Sequence, residues 1–184
     1  MRLFVAMDLS PAVLEALGRL VSGLRPLARI SWTRPEAWHL TTKFIGEWPE
    51  GRVGEIEAAL GGLAAREPIP ISVRGLGFFP NSRAPRVFWV GVEAPPSLAE
   101  LARDTEQALA ALGIERERRP YSPHLTLARI KEPVRLDGLH EAIARLPSKE
   151  FGAFTAEGFR LYRSTLQPTG AVYTRLAEFA FVKP

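Results

Sequence analysis

Apolar residues recur along the chain with two different periods, and the alternation of those periods sets out its elements. Residues 3–9 form a short, mostly apolar run of strand length. After Ser10-Pro11 the apolar positions become Leu14, Leu17, Val21 and Leu24, the three-and-four spacing of an amphipathic helix. Proline suits that first turn, where its missing N–H would have no partner. The same succession returns with residues 87–92, then Pro95-Pro96-Ser97, then Leu98, Leu101, Leu109 and Leu112. Two further helical stripes follow, Val53, Ile56, Leu60, Leu63 and Leu136, Leu139, Ile143, Leu146. Strand-like runs fall at residues 69–73, 78–79, 153–161 and 171–181. Turn residues at 80–85 and at 165–170 predict hairpin loops in corresponding places.

This doubled order has a counterpart in residue identity. The tripeptide His39-Leu40-Thr41 recurs as His124-Leu125-Thr126, 85 residues later. Sliding residues 3–41 by that offset, with no gap, also matches Val5/Val90, Pro11/Pro96, Glu15/Glu100, Leu24/Leu109, Leu27/Leu112, Arg34/Arg119 and Pro35/Pro120. Leu3/Phe88 and Asp8/Glu93 are similar pairs. Each half therefore reads strand, helix, strand with His-Leu-Thr, helix, then strand or hairpin. The run at 86–93 both ends the first half and opens the second. The expectation is one domain over residues 1–184, made of two interlocked duplicated lobes with no linker.

Composition narrows the classes. The chain has 184 residues, 46% hydrophobic and 24% charged, which excludes a disordered chain. No apolar run approaches a bilayer span, and no signal peptide is read, so a cytoplasmic protein without membrane association is expected. The absence of cysteine excludes disulfides, thiolate metal sites and a cysteine nucleophile. Net charge is +4, and 20 of the 24 basic residues are arginine, the fork-shaped partner of phosphate. No dinucleotide glycine pattern, phosphate loop, zinc-protease helix or carboxylate cluster is present, so neither metal nor cofactor is expected.

A histidine titrates near neutrality and serves as acid or base. One His-Leu-Thr alone would read as an ordinary strand segment. Two at duplicated positions are brought face to face by a pseudo-two-fold axis. In-line displacement at phosphorus needs a proton removed from the entering oxygen and one delivered to the leaving oxygen, on opposite sides. Thr41 and Thr126, two residues after each histidine, share its strand face and offer hydroxyls to the non-bridging phosphate oxygens.

The signatures His39-Leu40-Thr41-Thr42 and His124-Leu125-Thr126-Leu127 resemble the two-histidine (2H, HxTx) phosphoesterase superfamily. The segments at 37–46 and 122–129, and the opening Arg2-Leu3-Phe4-Val5-Ala6, are similar to the RNA 2′,3′-cyclic phosphodiesterases, also called 2′-5′ RNA ligases. The resemblance implies a bilobal α+β fold with antiparallel sheets lining a central cleft and helices outside. It implies metal-independent opening of RNA 2′,3′-cyclic phosphate ends, tRNA halves among them, to 2′-phosphomonoesters, with reversible 2′-5′ ligation by the same site. It makes His39 the acid, His124 the base, and Thr41, Thr126 and Arg129 the phosphate-binding residues. The first half has Phe44 where the second has Arg129, with Lys43 beside it, so the cleft is not symmetric there. A monomer is expected. Alternatives are a phosphodiesterase for a small cyclic phosphate such as ADP-ribose cyclic phosphate, and a non-catalytic RNA-binding protein.

Tyr121 and Trp38 are aromatic candidates for stacking a base, with core packing the stronger reading for Trp38. Arg34 and Arg119 suit either phosphate steering or a turn. Arg116, Arg118 and Arg119, interleaved with Glu115 and Glu117, read first as a solvated edge. His140 lies outside the repeat and reads as structural.

Overall fold

The computed structural model describes residues 1–168 and 170–183. In chain order its elements are β1 (Arg2–Met7), α1 (Pro11–Leu24), β2 (Ser31–Trp32), β3 (Leu40–Glu47), α2 (Val53–Gly61), β4 (Ile69–Phe79), β5 (Val87–Glu93), α3 (Pro96–Ala110), β6 (His124–Arg129), α4 (Asp137–Ala144), β7 (Glu150–Ala156), β8 (Gly158–Gln167) and β9 (Gly170–Ala180). The strands form two sheets, β3-β1-β8-β9 and β2-β6-β5-β4-β7, antiparallel throughout. The fold is α+β and duplicated, with the two sheets lining a central cleft. Each sheet draws strands from both halves of the chain. β8 and β9 complete the sheet of β1 and β3, while β2 and β4 join that of β5 and β6.

The helices cross over in the same way. α1, from the first half, packs on β7 of the second sheet, and α3, from the second half, packs on β3 of the first. The chain starts α1 at Ser10, whose Oγ accepts from the Val13 N–H, with Pro11 as the first helical residue. Val13, Leu17, Leu20, Val21 and Leu24 then face inward. Phe88, Phe159, Leu40, Leu98 and Leu109 join them in one continuous core spanning both sheets and the helices.

The pattern-based boundaries hold except at a few places. The stripes ending at Leu63 and Leu146 overrun their helices. α2 stops at Gly61 and α4 at Ala144, and the last apolar residue of each is brought inward by a tighter turn, Leu63 N–H to Leu60 carbonyl and Leu146 N–H to Ile143 carbonyl. The run at 153–161 is two strands of different sheets, β7 and β8. The chain crosses between them at Gly158, where a Cβ would collide with the Phe179 carbonyl, so only glycine fits. Residues 69–79 form a single long strand, and the predicted loop at 80–85 does join it to β5. In the loop predicted at 165–170, residues 165–167 belong to β8, and Thr169 lies outside the described residues.

Lys43 ties the crossed elements together. It is buried, and its Nζ donates to Glu106 Oε2 of α3 at 2.8 Å and to the Glu115 carbonyl at 2.7 Å. Glu106 Oε2 also accepts the Glu117 N–H at 3.2 Å. Lys43 thus points to the helix layer, away from the cleft. Lys43→Ala leaves a shielded carboxylate and a carbonyl unpaired, and is expected to cost ~3 kcal/mol in urea unfolding. Replacing the pair together, Lys43→Met with Glu106→Leu, recovers most of that loss.

Candidate active site

The two tripeptides lie on strands of different sheets, β3 and β6, which approach one another where the chain is anchored just before the first. β2 pairs with β6, Ser31 opposite Arg129, and the Thr33 N–H donates to the Leu127 carbonyl at 2.8 Å. From that anchor a short turn at Pro35–Ala37 leads to His39 and β3. In return the Tyr121 hydroxyl, on the approach to β6, donates to the Thr41 carbonyl at 3.2 Å. Each motif is bonded to the segment that introduces the other.

Strand alternation then sorts the side chains. Leu40 pairs with Met7 and both are fully buried, while Thr41 pairs with Ala6 on the opposite face. Thr42 has no partner: the next pair is Val5 with Lys43. Thr42 is a β-bulge residue whose Oγ1 donates to the Val5 carbonyl at 3.3 Å. The second motif repeats this. Leu125 pairs with Val90 in the core, Thr126 with Trp89 on the cleft face, and Leu127 is skipped before Ala128 pairs with Phe88. The bulges at 42 and 127 are separated by the same 85 residues as the histidines. After each bulge the parity reverses, so Phe44 and Arg129, five residues beyond their histidines, return to the cleft face. Phe44 is 70% exposed there.

The histidines have different surroundings. The His39 side chain is only 12% exposed. Its ring centroid lies 4.6 Å from Tyr162, 5.6 Å from Tyr173 and 6.2 Å from Phe4, all edge-on. Its Nε2 is 3.7 Å from Asp8 Oδ1. The Tyr162 hydroxyl donates to the same Oδ1, and Arg160 Nη1 lies 2.9 Å from Oδ2. Arg160 in turn meets Glu178 at 2.6 Å, and Glu178 meets Arg175 at 3.1 Å. Burial pushes the His39 pKa below its ordinary value, and the Arg160 charge adds to this; the Asp8 carboxylate and the Ala37 backbone work against it. Nδ1 faces the Ala37 backbone but makes no hydrogen bond of good geometry among the described residues. Burial, then the Asp8 bond, raises the Tyr162 phenol well above its usual range and keeps it a donor.

His124 is half-buried, with the Phe79 ring edge-on at 5.0 Å. Its Nδ1 lies 2.7 Å from the Ser122 carbonyl. A carbonyl only accepts, so Nδ1 carries the hydrogen and the neutral ring presents its lone pair at Nε2. Among the described residues no group of three or more His, Asp or Glu side chains converges as a metal site.

Known proteins match this architecture. The family model described as LigT-like phosphoesterase matches twice in tandem, at residues 7–89 and 90–173. The chain belongs to the LigT-like phosphoesterases. It is 37% identical over 180 residues to a protein of Methanothermobacter thermautotrophicus named RNA 2′,3′-cyclic phosphodiesterase, covering 97% of each chain. A protein of the same name from Thermus thermophilus is 38% identical, covering 98% of this chain and 90% of its own. The crystal structure of TT0787 of Thermus thermophilus superposes with a TM-score of 0.82 at 35% identity over 98% of both chains. The double match of the LigT-like model coincides with the internal repeat.

Of the smaller candidates, Trp38 is core, 3% exposed. Tyr121 is half-buried and bridges the motifs through its hydroxyl. Arg34 and Arg119 are exposed, and Arg118 pairs with Glu115 at 3.4 Å on a solvated edge. His140 packs on Phe78 at 4.9 Å. Sequence reasoning missed Arg160, Tyr162 and Tyr173 and gave Asp8 no role beyond a repeat match. All but Asp8 come from the last quarter of the chain and reach His39 only through sheet pairing. In the free LigT-like protein, the His39 C2–H resonance is expected to titrate with a midpoint below about 6.5 in proton NMR.

Proposed function

We propose that this chain hydrolyses RNA 2′,3′-cyclic phosphate ends to 2′-phosphomonoesters, without metal, through His39 and His124. The reading is supported above all by the two His-Leu-Thr motifs on contacting strands of the two sheets, each followed by a bulge at the same position of the repeat, in a chain similar along nearly its whole length to proteins named for that activity. His124 Nε2 removes a proton from water as its oxygen attacks phosphorus. His39 delivers its proton to O3′ as the phosphorus–O3′ bond breaks, leaving the phosphate on O2′. Thr41 and Thr126 donate hydroxyls to the non-bridging oxygens, and Arg129, exposed on the same face, balances their charge. The two lobes act as one catalytic unit over residues 1–184. With a 5′-hydroxyl of RNA in place of water, microscopic reversibility yields a 2′-5′ link. The protein works on RNA in the cytoplasm as a monomer.

His39→Ala and His124→Ala are each expected to lower kcat by ~10²–10⁴-fold on a cyclic-phosphate dinucleotide, with circular dichroism unchanged. Near-normal turnover in either folded variant would remove its role. Phosphorus NMR of the product is expected to show only the 2′-phosphate, at a rate unchanged by chelator. Turnover of ADP-ribose cyclic phosphate in preference to the dinucleotide would replace the RNA reading, and binding of RNA without turnover of either would make the protein a non-catalytic binder.

The profile of kcat/KM against pH is expected to be bell-shaped, one limb from each histidine. The acid must be protonated, and burial lowers His39. Activity therefore declines as pH rises through a His39 pKa lying below the ordinary imidazole value.

A further inference from the structure

The duplicated halves differ where their histidines meet the neighbouring strand. By the sequence offset, Asp8 corresponds to Glu93. The ladders are built otherwise. Ala6 stands opposite Thr41, but Trp89, not Gly91, stands opposite Thr126. The second ladder is therefore displaced by two residues. A shift of two preserves which face every residue occupies, so the core is undisturbed. It changes what faces each histidine. Asp8 follows Met7, the partner of Leu40, and so sits where the first ladder meets His39. The residue paired with His124 is Gly91. A Cβ there would fall 2.6 Å from the Arg74 carbonyl oxygen, so no side chain fits opposite His124. Glu93 lies two residues further on, 63% exposed and paired with Arg74 at 3.3 Å.

We propose that Asp8 is a positioning residue that assigns the acid role to His39: the charge of its carboxylate, clamped by Tyr162 and Arg160 with Oδ1 3.7 Å from His39 Nε2, favours the imidazolium, and the displaced register denies His124 any such partner. This rests on the two-histidine reading above. The charged and titratable groups facing His39 are Asp8 beyond β1, Arg160 and Tyr162 on β8, and Tyr173, Arg175 and Glu178 on β9. The two carboxylates and two guanidinia offset one another, so the nearest charge, Asp8, sets the sign felt at Nε2. The clamp fixes that carboxylate within reach of the histidine. His124 has the complementary arrangement. Its Nδ1 hydrogen is held by Ser122, and the residue paired with it across the ladder has no side chain, which leaves Nε2 a base.

The test needs no substrate. The C2–H resonances of the three histidines are followed against pH by proton NMR in the wild type, Asp8→Asn and Arg160→Gln. Asp8→Asn is expected to lower the His39 midpoint by about one pH unit, since an opposite charge at this distance typically shifts a pKa by that order. Arg160→Gln is expected to raise it, because Asp8 then loses its counter-charge. His124 serves as the internal reference. Opposite movements from two variants of one cluster are not what general loosening produces. A His39 midpoint that stays put or rises in Asp8→Asn, or moves the same way in both variants, overturns the proposal. Should Asp8→Asn fail to fold, Arg160→Gln decides alone, and an unmoved or lowered midpoint overturns it. If the variants show these shifts while wild-type protein leaves a cyclic-phosphate dinucleotide intact, the substrate reading sinks and the Asp8–His39 pairing stands.

Discussion

With Thr42 unpaired between Ala6–Thr41 and Val5–Lys43, and Leu127 unpaired between Trp89–Thr126 and Phe88–Ala128, each motif strand changes parity just after its threonine. Side chains on a regular strand alternate, so a residue five after a histidine would point into the core. The extra residue turns it back. Without the bulge, Arg129 would be driven inward where Ala128 now packs, and Lys43 would face the cleft instead of Glu106. Leu40 and Leu125 stay buried either way, because they precede the bulge. The proposed chemistry and the core are thus compatible only through the skipped position that follows each motif threonine.

Much of the architecture was legible because it obeys periodicity. Helices α1 and α3, strands β1 and β5, and the duplicated histidines follow from spacing alone. The bulges were not legible, since His-Leu-Thr-Thr and His-Leu-Thr-Leu read equally well as unbroken strand. Nor was the break within residues 153–161. An apolar run carries no mark of passing from one sheet to another, and Gly158 reveals its purpose only against the Phe179 carbonyl. The offset of 85 was correct for the motifs and bulges but two residues wrong for the pairing of the opening strands. Sequence similarity aligned Asp8 with Glu93, and backbone pairing aligned it with Gly91. Apolar matching cannot detect such an even displacement, because both registers present the same faces.

Crossed packing explains why two small lobes hold one geometry. Each sheet is covered partly by a helix from the other half, and each motif is hydrogen-bonded to the segment introducing the other. Lys43 extends this network from the first motif strand to Glu106 on α3 and to the segment at 115–117 that precedes the second motif. Separating the lobes would strip α1 from β7 and α3 from β3, exposing Val13, Leu17, Leu98 and Leu109. At ~25 cal/mol per Å² of apolar surface, exposing even those four side chains is costly on the scale of the whole domain's stability. Acid–base catalysis at one phosphorus requires both imidazoles at fixed separation, and this packing resists the hinge that would vary it.

The two histidines also differ in access to water, and the difference matches their proposed tasks. His39 is enclosed by Phe4, Tyr162 and Tyr173 and is 12% exposed. A dry wall on that side keeps water from competing for the proton meant for the leaving oxygen. Its cost is the lowered pKa that burial imposes, which Asp8 partly offsets. His124 needs the reverse. A base that activates water must let water in, and its ring is half-buried against Phe79 with the lone pair at Nε2. Asp8 placed opposite His124 would favour the imidazolium and remove the lone pair the reaction uses. A perfectly symmetric duplication would therefore give two acids or two bases. On that proposal, the two-residue displacement of one ladder is what gives paired copies of one motif the separate tasks of an acid on a dry wall and a base beside water.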